Sequence, residues 1–242
     1  MAEFKFPTEE VELPSKGLFY PKDHPLSSGK IEIKYMTAKE EDILSNQSYI
    51  AKGIVLDKLL DSVIINKDIK HRDLVVGDKN AVLIATRILG YGKEYNFKFE
   101  GIDRSIDLTT LENKNFDPSE MVGGENKFSY TLPHSDIAVT FKILTGHDEV
   151  KINKEIQGLK KINKDASPDL STRLKYIITS VDGDEDSKNI RNFVDNALLA
   201  RDSRALRTKI REVQPDVELE VTLDDGKEVV VPIGLNFFWP DI

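Results

Sequence analysis

The 242-residue sequence predicts an α+β fold built as two related repeats, each with a strand, helices and a β-hairpin. Three observations support this prediction. Short runs alternate apolar and polar residues, which is typical of half-buried strands. Between these runs, apolar residues recur at helical spacing behind capping residues. The same order of elements then occurs a second time, which indicates an internal duplication.

The first predicted repeat spans residues 1–116 and begins with an irregular segment. Residues 12–30 are rich in proline, glycine and serine, which favour turns over regular structure. The alternating run at 31–36 predicts a strand, and Thr37 with Glu40 has the spacing of a capping box. Beyond them the pattern predicts helices at 38–49 and 55–65, a helix that opens at Asp78, and a hairpin around Gly101.

The second predicted repeat spans residues 127–242 and follows a segment at 117–126 that has the composition of a linker. This second repeat ends in an aromatic tail. Its patterns predict, in order, strands at 128–132 and 137–143, a helix capped by Thr145 and Asp148, helices at 169–181, 190–200 and 202–211, and a hairpin around Gly226.

Matching motifs relate the two halves of the chain. The offset between the halves varies from motif to motif, which places insertions in loops, where they cost little free energy. The alternative is a coincidence between two generic α+β patterns. The recurring motifs are Leu13-Pro14 and Leu132-Pro133, Thr37 with Glu40 and Thr145 with Asp148, and Asp78 and Asp202.

Composition and charge exclude several classes of function. The absence of cysteine excludes disulfide frameworks, thiolate metal sites and cysteine nucleophiles, and it fits a reducing compartment. The formal net charge of −8 opposes binding of nucleic acid or an anionic membrane through the overall field. No apolar run is long enough to span a bilayer, and the first residues lack a signal-peptide pattern, so we expect a soluble protein.

Two motifs suggest a calcium site and a catalytic triad, but neither meets the requirements of such a site. The acidic loop at 182–186 resembles the start of a calcium loop, but Ser187 stands where a glycine is needed and Phe193 where a bidentate glutamate belongs. The run His134-Ser135-Asp136 contains the residue types of a catalytic triad, but adjacency in sequence is not triad geometry. We therefore expect no catalytic residues, no cofactor and no metal.

Three short segments are candidates for contact with partner proteins. Two are aromatic, and their alternative role is to cover the protein's own core. The third is a basic stripe at helical spacing, which is either a docking site for an acidic or helical partner or a solvated helix face. The candidate residues are Leu18, Phe19 and Tyr20, then Phe237, Phe238 and Trp239, and finally Arg204, Arg207 and Arg211, which share one helical face in a basic stripe that also contains Arg201 and Lys209.

Three long segments carry a family resemblance. They are LPSKGLFYPKDHPLSSGKIEIKYMTAKEEDILSNQ, RDLVVGDKNAVLIATRILGYGKEY and the closing FFWP. These segments resemble the baseplate-hub proteins of contractile-tailed bacteriophages of the T-even type. The likeness is strongest over 11–95 and returns at 127–150 and 215–240.

The resemblance implies a non-enzymatic structural or assembly component of a baseplate hub. Its partners would be other hub proteins and the exposed end of the tape-measure protein, within a hetero-oligomeric assembly. It would be built in the host cytoplasm and retained in the virion tail baseplate. One alternative is an assembly chaperone that is absent from the mature virion. The rival class is an enzyme such as a hydrolase that uses unpaired carboxylates, which would need two carboxylates forced together in a cleft.

The chain departs from the family pattern at two hairpins. In members of this family the hairpins that correspond to 97–108 and 219–231 can carry Cys-x-x-Cys pairs, as zinc ribbons do. This chain has no thiol at those positions or elsewhere. The resemblance therefore implies zinc-ribbon-like hairpins without metal ligands, and no catalytic residues.

Overall fold

The computed structural model describes residues 7–163 and 168–239, which form two compact units. The first unit contains the described parts of Met1–Gly17, Asp23–Asn115 and Pro215–Ile242. The second contains the described parts of Leu18–Lys22 and Phe116–Gln214. Both combine helices with small antiparallel sheets, which confirms the predicted α+β class. Within the described ranges, no helix is long and apolar enough to cross a membrane.

Nine strands and eight α-helices occupy the described residues. In chain order they are β1 (Thr8–Glu12), β2 (Lys30–Lys34), α1 (Ala38–Leu44), α2 (Gln47–Ala51), α3 (Val55–Val63), α4 (Val76–Tyr91), β3 (Glu94–Phe99), β4 (Ile102–Asp107), β5 (Phe128–Thr131), β6 (Ala138–Phe141), α5 (Gly146–Ile162), α6 (Asp169–Ile177), β7 (Ile178–Val181), α7 (Ser187–Asn196), α8 (Ala200–Val213), β8 (Glu220–Thr222) and β9 (Glu228–Val230).

The first unit is organised around three antiparallel strand pairs. These pairs are β1–β2, β3–β4 and β8–β9, and helices α1 to α4 complete the unit. The β3–β4 hairpin turns at Glu100 and Gly101, which both have positive φ angles, 53° and 78°. A two-residue turn with two positive φ angles matches the twist of the flanking strands, and this explains the predicted hairpin.

The second unit packs helices α5 to α8 with one three-stranded sheet. The strand order is β5-β6-β7, and both pairings are antiparallel. Leu144, Ile152 and Ile156 are buried together, with Tyr176 and Ile177 packed against them. Helix α5 thus contributes one apolar face to the core of this unit.

The predicted helix starts at Thr37 and Thr145 are confirmed. Thr37 forms a capping box with Glu40 at the start of α1, and Thr145 forms one with Asp148 at the start of α5. In each box the acidic side chain accepts a hydrogen bond from the threonine amide, at 2.9 Å for Glu40 and 3.2 Å for Asp148. The boxes supply partners for backbone groups that the first helical turn leaves unpaired.

Replacing Thr37 with alanine is expected to lower the free energy of unfolding by about 1 kcal/mol, because the cap loses its side-chain hydroxyl. Urea unfolding followed by circular dichroism measures the change. Ser48→Ala is the matched control, since Ser48 is exposed in the short helix α2. The control should stay within about 0.5 kcal/mol of the parent, as surface substitutions do. Equal effects at Thr37 and Ser48 would contradict the role of the cap.

Two predicted helices are interrupted in the structure. The helix expected at 38–49 ends at Leu44, and the side chain of Asn46 then caps α2 by accepting a hydrogen bond from the Tyr49 amide at 3.1 Å. The helix expected at 169–181 ends at Ile177, because the following residues form β7 and pair with β6. In both places a short local signal, an asparagine cap or a β-branched run, outweighs helical periodicity.

The helices predicted at Asp78 and Asp202 are present, but the expectation that these aspartates open them was wrong. Each is instead the third residue of its helix, α4 or α8, and each is fully buried. The Asp78 carboxylate accepts hydrogen bonds from the amide and hydroxyl of Ser15, at 2.9 and 2.6 Å. The Asp202 carboxylate accepts one from the His134 amide at 2.9 Å. Both acids therefore fasten a distant turn to a helix.

The unit boundaries differ from the predicted domains at the C-terminal end. Residues 215–239 belong to the first unit, although the prediction placed them in the second repeat. The reason is close packing on α4, where a Cβ atom on Gly77 would lie 2.0 Å from the Pro215 carbonyl oxygen. Asn80 also donates a hydrogen bond to the Asp216 carboxylate at 3.0 Å. Only glycine permits this approach of helix and chain.

The segment predicted as a linker, 117–126, contains short structure in the second unit. It forms two 3-10 turns, Pro118–Glu120 and Val122–Gly124. Met121 lies between these turns, is buried, and forms an isolated bridge with Phe128. An apolar side chain in a polar, glycine-rich stretch therefore ties the segment to β5.

Candidate docking surfaces

The first aromatic candidate segment is mostly turned inward. Phe19 is 7% exposed, and its ring lies 5.4 Å from that of Phe116 and 6.1 Å from that of Phe128. Tyr20 is half-buried, and Leu18 is 40% exposed. Phe19 is thus a core residue of the second unit, and of these three only Leu18 has a largely accessible side chain.

The aromatic tail is also largely a core element. Phe237 and Phe238 are fully buried in the first unit, and the Phe237 ring lies 4.9 Å from that of Tyr95. Trp239 is half-buried beside a groove along β3. A partner cannot reach the two phenylalanine rings while the chain is folded, so Trp239 is the accessible part of this candidate surface.

A buried arginine that the sequence reading missed holds this tail. Arg87 in α4 is 1% exposed and donates hydrogen bonds to the carbonyl oxygens of Phe237, Gly92 and Glu94, at 3.0, 2.9 and 3.2 Å. Its guanidinium also lies 5.3 Å from the centre of the Tyr91 ring. Burial lowers the pKa of Arg87, although an arginine remains charged under all ordinary conditions.

The basic stripe on α8 is exposed, as a docking surface requires. Arg204, Arg207 and Arg211 all lie on the accessible side of the helix. Arg207 donates to the Ser203 carbonyl at 3.3 Å, and Arg211 lies 3.4 Å from the Thr208 hydroxyl, so among the described residues both have polar partners within α8 alone. Arg204 has no hydrogen-bond or ion-pair partner among the residues that the structure describes.

A groove of about 460 Å³ runs along α8 from Arg201 to Glu212. We call it the basic groove. Arg201 is exposed in it and, like Arg204, has no polar partner within residues 7–163 and 168–239. Lys209, by contrast, forms an ion pair with Glu120 and lies 3.9 Å from Glu212. The lining residues are Tyr130, His134, Arg201, Arg204, Ala205, Thr208, Lys209 and Glu212.

The buried Asp202 fixes one wall of the basic groove. Its hydrogen bond from the His134 amide attaches the turn between β5 and β6 to α8. Burial alone would raise the pKa of Asp202, but the neighbouring donors of His134 and Ser135 outweigh burial and lower that pKa. The wall is therefore held by an ionised carboxylate, while Arg201 and Arg204 are exposed.

The acidic loop at 182–186 uses its carboxylates to build a turn and a helix start. Asp186 caps α7 by accepting hydrogen bonds from the amides of Lys188 and Asn189, at 2.9 and 3.0 Å. Asp184 accepts from the Asp186 amide and the Asn189 side chain, both at 2.8 Å. In the described part of the chain, no cluster of three or more acidic or histidine side chains is arranged to hold a metal ion.

Comparison with known proteins yields no relative for this chain: no family model, no curated protein and no solved structure matches it.

Proposed function

We propose that this protein is a non-enzymatic structural or assembly component of a contractile-tail baseplate hub, and that it acts by docking on neighbouring proteins. The observation that carries the proposal is the pair of exposed arginines without polar partners, Arg201 and Arg204, in a chain of net charge −8. Placing two such charges in one groove favours a complementary partner. The resemblance of the three long segments to baseplate-hub proteins supplies the biological setting.

We also propose that the chain arose from an internal duplication. The two units contain equivalent contacts at matched positions of the motifs. In the first unit Lys34 donates to Glu40 at 2.7 Å, and in the second Lys142 donates to Asp148 at 2.8 Å. The buried acids Asp78 and Asp202 each accept from a residue two positions after the leucine of a Leu-Pro motif, as described above. Shared long-range contacts support a common origin more strongly than shared periodicity.

The two zinc-ribbon-like hairpins of this proposal depend on side chains for their stability. Both hairpins, β3–β4 and β8–β9, lie in the first unit. Arg104 forms an ion pair with Asp225, and Lys227 forms one with Glu100, so the hairpins contact each other through opposite charges. Such pairs, with the packing of Tyr95 and Phe97, would replace the restraint that a metal provides in the thiol-bearing hairpins of the family that the chain resembles.

Mass spectrometry of purified virions tests the proposed function and separates its two forms. A structural hub component gives a peptide signal in a fixed ratio to other baseplate proteins. An assembly chaperone is absent from virions but co-purifies with hub intermediates from infected cells. Absence from both preparations would contradict the hub assignment altogether.

A further inference from the structure

We infer that the basic groove binds an acidic protein segment, with carboxylates of the partner paired to Arg201 and Arg204. This inference rests on the proposed docking function and names the chemistry of the partner. The occupant is a protein segment with two or more neighbouring aspartate or glutamate side chains.

The spacing of the two arginines suits such a segment. Arg201 and Arg204 are three residues apart on α8, so their side chains leave the same helix face. Arg201 lies in the first turn of this 14-residue helix, where the helix dipole adds positive potential. Each planar guanidinium can donate two parallel hydrogen bonds to one carboxylate. Two adjacent carboxylates of a partner can therefore each accept a pair of hydrogen bonds from one guanidinium, on the same face of α8.

The distribution of charge along the groove determines at which end the acidic residues of the segment bind. Lys209 is paired with Glu120 and approaches Glu212, so the end of the groove around Lys209 already contains acid. A partner's carboxylates are repelled there and attracted at the end that holds Arg201. Tyr130 and His134, which line the groove, provide further polar groups beside the arginines. We therefore expect the acidic residues of the segment at the Arg201 end.

Charge also favours a protein segment over a nucleic acid. The groove lining offers two arginines without partners, which can neutralise two charges, whereas stable binding to a polyanion normally engages more phosphates. Glu120 and Glu212 lie close to the groove, and the net charge of −8 repels an extended polyanion at long range. A short segment with a few carboxylates avoids most of this repulsion.

Fluorescence anisotropy with the full-length chain tests the inference. The probe is a fluorescein-labelled peptide of twelve residues that alternates glutamate pairs with glycine, and the same peptide with glutamine is the uncharged comparison. We expect the glutamate peptide to bind in low salt, and Arg201→Gln combined with Arg204→Gln to weaken binding about tenfold. The matched control, Lys151→Gln with Lys154→Gln, removes the same charge from an exposed pair three residues apart on α5 and should change binding less than twofold.

Four results would overturn the inference: no binding of the glutamate peptide, equal binding of the glutamine peptide, equal weakening by both double variants, or tighter binding of a DNA oligonucleotide at the same arginines. Self-association of the chain that the Arg201/Arg204 variant abolishes would also overturn it, because the occupant would then be a second copy. These outcomes are independent of virion composition. If the protein is stoichiometric in virions but does not bind the peptide, the proposed hub function is supported and only the binding of an acidic segment is contradicted.

Discussion

Replacing Arg87 with methionine is expected to lower the free energy of unfolding by about 3 kcal/mol. The substitution removes the donors of three backbone carbonyls, those of Phe237, Gly92 and Glu94. A buried carbonyl left without a donor costs about 1–3 kcal/mol. Relief from burying the guanidinium charge, and the similar length of methionine, offset part of that loss. Chemical denaturation followed by circular dichroism measures the difference.

Tryptophan fluorescence gives a second measurement of the same substitution, because Trp239 in the tail is the single tryptophan of the chain. Losing the hydrogen bond from Arg87 to Phe237 should loosen the tail, so the emission of Trp239 should shift to longer wavelength and become easier to quench with acrylamide. Arg72→Met is the control, since Arg72 is exposed. It should leave both stability and emission within experimental error. An Arg87→Met protein with parental stability and emission would show that this arginine does not hold the tail.

Features that depend on neighbours in sequence could be predicted from the sequence. The capping boxes at Thr37 and Thr145 involve residues three positions apart, and both formed as expected. The hairpin around Gly101 likewise follows from two turn residues between alternating runs. Where local signals compete, as at Asn46, the boundary of the element was missed although the helical character was correct.

Features that depend on distant partners could not be predicted in this way. Arg87 and Phe237 are 150 positions apart, and Ser15 and Asp78 are 63 apart. Nothing in the local pattern shows that a charged residue within an apolar helix faces a set of carbonyl groups. A useful signal was nevertheless present, because Arg87 follows Leu83 by four residues and so shares its buried helix face.

Dependence on distant partners also explains why the aromatic docking candidates are mostly buried while the arginine candidates are exposed. An aromatic cluster is equally compatible with a core and with an interface, and burial of Phe19, Phe237 and Phe238 places these rings in the core. The arginine stripe depends only on helical spacing, and the structure shows it exposed. Arg201 belongs to the basic stripe that the sequence shows, but its place in the basic groove could not be predicted, because the groove depends on the turn that Asp202 attaches to α8.

Glu40 is a buried acid of the first unit that joins several elements. Its carboxylate is fully buried and accepts hydrogen bonds from Lys34 at 2.7 Å, from the Ser62 hydroxyl at 2.6 Å, and from the amide and hydroxyl of Thr37 at 2.9 and 2.7 Å. Burial alone would raise the pKa of Glu40, but the donors of Lys34, Ser62 and Thr37 outweigh burial and lower the pKa to about 2. The network therefore joins β2, α1 and α3 through one ionised group.

The lowered pKa makes this network a source of stability that depends on pH. In the unfolded chain the pKa of Glu40 returns to its ordinary value of 4.5. Since the folded value is the lower one, the contribution is complete above about pH 4.5 and is lost as the pH falls towards about 2. A difference of this size in pKa corresponds to about 3 kcal/mol at neutral pH.

Replacing Glu40 with glutamine is therefore expected to lower the free energy of unfolding by about 2–3 kcal/mol at pH 7, because the charge that Lys34 and the hydroxyls stabilise is gone. Urea unfolding at pH 7 and at pH 3 measures the difference in free energy of unfolding between parent and variant. This gap should shrink by about half at pH 3, because the parent loses the contribution that the variant never had. Asp42→Asn, an exposed change on the same helix, should give a gap near zero at both values. A gap for Glu40→Gln that stays constant between the two pH values would show that the variant is destabilised by altered packing, and that the ionised carboxylate is not what joins these three elements.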